Sequence, residues 1–176
     1  MNNCRIINAQ IPGYPDVRAM VIRAGKISQI GECLVADDLP TLDLAGDWLS
    51  LGGVDLQING ALGLAFPDVR MEDFDRLTQI CDFLWAQGVD GFLPTIVTTS
   101  IENIHRSLAV FAEFMAHQRD GTAQVLGVHL EGPFLNPQKR GAHPAEYLQP
   151  LTVDLVAAVL SKSDQFRALS GRFCPG

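Results

Sequence analysis

The sequence predicts an α/β fold in which a small β unit, residues 1–50, precedes strand–helix repeats over residues 51–176. Two patterns carry the prediction. Short apolar runs separated by Pro, Gly and Asp fill the first fifty residues, and after Trp48 the apolar period lengthens into three successive strand–helix pairs. The chain also has an ordinary globular composition, with 47% hydrophobic and 19% charged residues.

In the N-terminal part, Cys4–Ile7, Ala19–Ile22, Ile27–Ile30 and Thr41–Leu44 read as strands of an antiparallel unit. Val21–Ile30 reads as a hairpin turning at Ala24-Gly25-Lys26. The repeats then begin with a strand over Leu51–Ile58. A helix follows over Glu72–Gln87, with Phe74, Leu77, Ile80, Cys81 and Leu84 on one stripe. Val89–Val97 is the second strand. Thr99 or Ser100 can cap the next helix, whose stripe is Ile101, Ile104, Leu108, Phe111 and Met115. The third strand is Gln124–Leu130, and its helix, about Thr152–Leu160 with Leu155, Val156, Val159 and Leu160 inward, comes only after the long loop Glu131–Pro150. Buried strands alternating with helices predict a parallel sheet, either open and doubly wound or part of a barrel, with ligands at the strands' C-terminal ends.

A formal net charge of −7 leaves no basic footprint for nucleic acid. No apolar stretch approaches the roughly 20 residues of a membrane span, and the N-terminus lacks a signal peptide's apolar core, so a cytoplasmic protein is expected. Cys4, Cys33, Cys81 and Cys174 form no C-x-x-C pair and read as reduced bystanders.

Candidate chemistry lies at the strand ends. Asp55, Gln57 and Asn59 alternate onto one face of the first strand, as cavity-lining groups or as hydrogen-bonders that end it. His129 and Glu131 share a face of the third strand just before Gly132-Pro133. This pair suits metal binding, proton transfer or a structural ion pair, and a carboxylate in an apolar strand needs such compensation. Asn136, Lys139, Arg140 and His143 on the long loop suit an anionic or sugar-phosphate ligand, or simply solvent. His105 and His117 read as surface residues on the second helix.

Three stretches together resemble the N-acetylglucosamine-6-phosphate deacetylase family of the amidohydrolase superfamily. They are Gly53-Val-Asp-Leu-Gln-Ile-Asn-Gly60, Gly91-Phe-Leu-Pro-Thr95 with Thr98-Thr99, and His129-Leu-Glu-Gly-Pro-Phe-Leu135 with Lys139-Arg-Gly-Ala-His143. The likeness runs from the start to about residue 160 and corresponds to the family's N-terminal portion. It implies an incomplete (β/α)8 TIM-type barrel of about three βα units, preceded by part of a small β-sandwich. It also implies hydrolysis of the acetamide of N-acetylglucosamine 6-phosphate, with a small-molecule amino-sugar phosphate as partner and homo-oligomers possible. Glu131 maps onto a metal ligand and His143 onto a residue that approaches the sugar. Gln57 and Asn59 stand where many superfamily members carry His-x-His, which implies one divalent metal, zinc or iron, rather than two. His129 is a further strand-end candidate.

In the family the remaining metal-binding histidines and the general base come from later strands, beyond residue 176, so this chain alone is expected neither to hold the metal tightly nor to catalyse. A closed barrel takes about 250 residues. Gln165–Gly176, where a fourth strand is due, offers Ser170-Gly171-Arg172 instead of a branched apolar run, which suggests a truncated or frame-disrupted product. Gly91–Val97 or its neighbours would then form an exposed, association-prone edge. Three alternatives stand beside the deacetylase: a catalytically inactive sugar-phosphate binder or assembly partner, an amidohydrolase for another N-acetyl or cyclic amide substrate, and a remnant.

Overall fold

The structure, a computed structural model, describes residues 2–36 and 38–161. The predicted fourth strand at Gln165–Gly176 lies outside the described residues. The chain divides into two compact units, Met1–Leu51 and Gly52–Gly176.

The first unit is one four-stranded sheet of β1 (Cys4–Ala9), β2 (Arg18–Arg23), β3 (Lys26–Gly31) and β4 (Thr41–Asp43), in the order β3-β2-β1-β4. Ala24 and Gly25, both at positive φ, make the tight turn between β2 and β3, so Lys26 belongs to the strand rather than the turn. The sheet is not wholly antiparallel as expected, because β4 runs parallel to β1. Its pairing is clamped where Asp43 Oδ1 accepts from Asn8 Nδ2 and from the amide of Ala45, both at 2.8 Å. Cys4, Ile6, Ala9 and Met20 form its small core.

The second unit holds a parallel sheet. Strand β5 (Gly53–Ile58) leads through a short hairpin, β6 (Gly60–Ala61) and β7 (Leu64–Ala65), to helix α1 (Phe74–Ala86). Then come β8 (Val89–Val97), α2 (Ile101–His117), β9 (Gln124–Val125), β10 (His129–Glu131) and α3 (Val153–Leu160). The sheet order is β10-β8-β5, with β9 also pairing β8. Gly88, at positive φ, ends α1, and Ser100 rather than Thr99 caps α2 by accepting from the Asn103 amide.

Strand β8 is therefore central, and of the expected edge, Gly91–Val97 or its neighbours, it is the neighbours β5 and β10 that lie outermost among the described residues. The third predicted strand is broken in two, and the physical reason is Pro94. It has no N–H to give to a ladder, and the pairing is irregular on both sides of it. Leu56 and Gln57 oppose Leu93 alone on the β5 side, and residues 126–128 oppose Leu93 and Pro94 on the other.

The main core lies between this sheet and the helices. Phe66 is fully buried, stacked at 29° to Phe92 with centroids 6.3 Å apart and edge-on to Phe111 at 5.5 Å. Its short 3-10 turn is tied down from α2, where Arg106 and Ser107 side chains both donate to the Pro67 carbonyl. The α1 and α2 stripes are buried as expected, with Phe74 and Ile101 only partly so. In α3, Val159 is buried and Leu155 and Val156 are half-buried, but Leu160 faces outward, against expectation. His105 hydrogen-bonds the Ala158 carbonyl and so links α2 to α3, whereas His117 is exposed. No helix among the described residues is long and apolar enough to cross a membrane.

Truncating Phe66 to Ala should lower unfolding free energy by about 3–5 kcal/mol in urea titrations, against less than about 0.5 kcal/mol for the exposed Phe83→Ala. Equal losses would show that the Phe66 cluster is not the core. Burial pushes the Cys81 thiol up to about 12, and Cys33 is exposed. Peptide mapping after alkylation at mildly alkaline pH should find Cys33 labelled rapidly and Cys81 only on unfolding.

Candidate functional site

The ends of β5, β8 and β10 converge. Because β10 pairs with β8 in parallel register, His129 sits beside Thr95 and Glu131 beside Val97. Alternation puts His129 and Glu131 on one face, with His129 one step deeper along the strand. There its Nδ1 lies 3.2 Å from the hydroxyl of the fully buried Thr95, away from the pocket that Glu131 lines.

Glu131 is the hub. Its Oε2 accepts from Gln57 Nε2 at 2.9 Å, a contact that spans the central strand from β5. Two neighbouring strands stand about 9–10 Å apart across a third, so both side chains must reach inward over β8, and the irregular pairing at Leu56-Gln57 lies where Gln57 does so. Glu131 Oε1 lies 3.4 Å from His143 Nε2, with the two side chains 32% and 17% exposed. His143 Nδ1 in turn lies 2.9 Å from Thr98 Oγ1, and that hydroxyl donates to the main-chain carbonyl of Glu131 at 3.2 Å.

The long loop delivers His143. It leaves the strand through Gly132, at φ 99°, and a cis Gly132–Pro133 bond. It is then organised by a 3-10 turn over Pro137–Lys139, capped by Asn136, whose side chain accepts from the Gln138 amide. Arg140 donates to the main-chain carbonyl of His143 at 2.6 Å, while the His143 amide donates to the Arg140 carbonyl. Arg140 is thus a brace for its own loop, and neither it nor the exposed Lys139 lines the pocket. Of the two readings the sequence left for this basic pair, an anionic ligand or solvent, the exposed Lys139 follows the second.

The pocket is lined by Asn59, Val97, Thr98, Glu131, His143 and the neighbouring loop residues. Four of the five sequence candidates, Gln57, Asn59, Glu131 and His143, are therefore brought together, and His129 is not. Sequence reasoning gave no role to Thr98, which is 4% exposed, or to Thr95. The available signal was a hydroxyl at the end of an otherwise apolar strand. Glu131 suits a cation, but among the described residues no three His, Cys, Asp or Glu side chains gather as a metal would require. The residues present therefore supply at most part of a metal shell.

No family model matches the chain. It is 33% identical over 117 residues to N-acetylglucosamine-6-phosphate deacetylase of Haemophilus influenzae, covering 66% of this chain and 29% of that protein. To the enzyme of the same name from Bos taurus it is 33% identical over 164 residues, covering 90% of this chain and 38% of the relative. Among solved structures, N-acetylglucosamine-6-phosphate deacetylase from Pasteurella multocida superposes with a TM-score of 0.74 at 29% identity, over 92% of this chain and 42% of that one. The chain thus spans about two-fifths of the bovine and Pasteurella proteins' length.

Gly132 is the tightest point of the site: a Cβ there would lie 2.0 Å from Thr98 Oγ1, at a φ that side chains rarely adopt. Gly132→Ala should lower stability by about 1–3 kcal/mol in denaturant titrations. An unchanged midpoint would show that the turn relaxes without disturbing Thr98.

Proposed function

We propose that this chain is the N-terminal portion of an N-acetylglucosamine-6-phosphate deacetylase, which hydrolyses the acetamide of its sugar phosphate to a free amine and acetate. The observation that carries the reading is the convergence of Glu131 and His143 on one pocket at the C-terminal ends of three parallel strands. The relatives just described bear that name. In this reading, residues 51–176 are the first βα units of a (β/α)8 barrel and residues 1–50 are part of a small β-sandwich.

Each side chain then has a task. Glu131 is one ligand of a divalent metal, zinc or iron, whose chemistry in such hydrolases is to polarise a carbonyl and acidify bound water. Gln57 holds the Glu131 carboxylate by donating to Oε2, which leaves Oε1 turned toward His143. His143 meets the sugar, and Asn59 lines the same pocket from the end of the first barrel strand. The remaining metal ligands and the general base come from barrel strands outside the matched portion of the relatives. An inactive sugar-phosphate binder remains the second reading, because His143 and its braced loop are in place whether or not a metal shell is complete.

The test is acetate release from N-acetylglucosamine 6-phosphate by the purified chain with added zinc or iron. The described residues alone are expected to give none. Any release through self-assembly should fall about a hundredfold or more in Glu131→Gln. Release that persists in that variant would remove Glu131 from the metal shell. Calorimetric titration with the sugar phosphate should show weaker binding in His143→Ala, and unchanged affinity would remove His143 from the sugar site.

A further inference from the structure

The first unit has a cavity of its own, about 260 Å³ in volume, lined by Arg5, Asn8, Arg18, Glu32, Cys33 and Leu34, with the rest of its wall apolar. Strand β1 supplies Arg5 and β2 supplies Arg18. The segment after β3 closes over them because Gly31 has no side chain; a Cβ there would lie 3.1 Å from Leu34 Cδ2. Arg5 is fixed by its Nη1, which donates to the Leu34 carbonyl at 3.2 Å, and its Nε, which donates to the Thr41 hydroxyl at 3.1 Å. Its Nη2 has no partner among the described residues.

Arg18 is under-compensated. Its side chain is 11% exposed and lies over the Tyr14 ring at 5.4 Å, yet its carboxylate partner, Glu32, stands 3.6 Å away and is 82% exposed. A guanidinium so far out of water is normally met by a close carboxylate on paired N–H groups. Here only Nη1 is engaged, donating also to the Val17 carbonyl at 3.3 Å, and Nε and Nη2 bond to nothing among the described residues. No described side-chain nitrogen is both fully buried and unpartnered, so these spare N–H groups keep an opening to solvent. Two guanidiniums against one carboxylate leave the wall with a net charge of two minus one, positive in a chain of formal net charge −7.

We propose that this cavity binds the oxyanion group of a small ligand, a phosphate or a carboxylate, between Arg5 and Arg18, and that Glu32 is the internal carboxylate which the ligand displaces from Arg18. The planar fork of a guanidinium offers paired N–H donors to either oxyanion. An anion seated inside the cavity exchanges one long contact to a solvated carboxylate for close contacts to two arginines. The site lies wholly within the first unit and does not depend on the deacetylase reading.

Cys33, exposed and on the cavity wall, reports occupancy. Its alkylation by uncharged iodoacetamide is timed by peptide mapping in rising sodium phosphate and, separately, sodium acetate, each against sodium chloride of equal ionic strength. Expected is a saturable slowing in the millimolar range with an oxyanion and none with chloride. Slowing by phosphate alone assigns a phosphate group, by acetate alone a carboxylate, and by both the shared oxyanion chemistry. Glu32→Gln removes the internal competitor and should lower the half-saturating concentration about two- to fivefold. Arg18→Gln should raise it about tenfold or more. Slowing by neither oxyanion overturns the proposal, and so does a half-saturating concentration that rises or stays the same in Glu32→Gln. Both readouts decide the matter even where Arg18→Gln fails to fold.

Discussion

Strand β8 is the reference against which every candidate residue is placed. Gln57 reaches it from one side and Glu131 from the other, Thr95 and Thr98 belong to it or to its end, and His143 rests on Thr98. A central parallel strand is covered on both edges by neighbours and on one face by helices, so its position is over-determined. The Phe66, Phe92 and Phe111 cluster beneath it does the anchoring. Pro94 relaxes this rigid frame at one point, by leaving the ladders irregular on both flanks within a few residues of the site.

The polar site is balanced internally. Glu131 and His143 are half-buried and lie 3.4 Å apart, with Gln57 donating to the carboxylate and Thr98 in contact with the imidazole on its other side. Among the described residues no buried side-chain nitrogen or oxygen lacks a hydrogen-bond partner. A network satisfied this fully tends to hold one geometry, because leaving any member unpaired in a poorly solvated place is costly.

Much of this was legible in the sequence. Apolar periodicity located α1, α2 and the strand β8, and the Gly-Pro break after Glu131 marked the mouth of the sheet. The convergence of Gln57, Glu131 and His143 was not readable from spacing, since it depends on two strands meeting across a third; the likeness to a family supplied it as an implication. Three features escaped because they are tertiary. The parallel pairing of β4 with β1 depends on the long return between β3 and β4. The break between β9 and β10 depends on Pro94 standing opposite, and Pro94 lies some thirty residues earlier in the chain. Thr98 owes its place to a loop that folds back from residue 143. The outward turn of Leu160 is of a different kind, since a two-turn helix offers too few residues for periodicity to define its buried face.

The brace formed by Arg140 has a consequence for the electrostatic character of the pocket. With its guanidinium committed to its own loop carbonyl, Arg140 leaves Glu131 as the one charged side chain among the described residues that line the pocket, apart from His143. The potential at this end of the cavity is therefore set by an anion, which attracts cations and polar donors and repels a phosphate. An anionic group approaching this wall would meet repulsion there, and a neutral donor would not. The brace thus keeps a positive charge off this wall of the pocket.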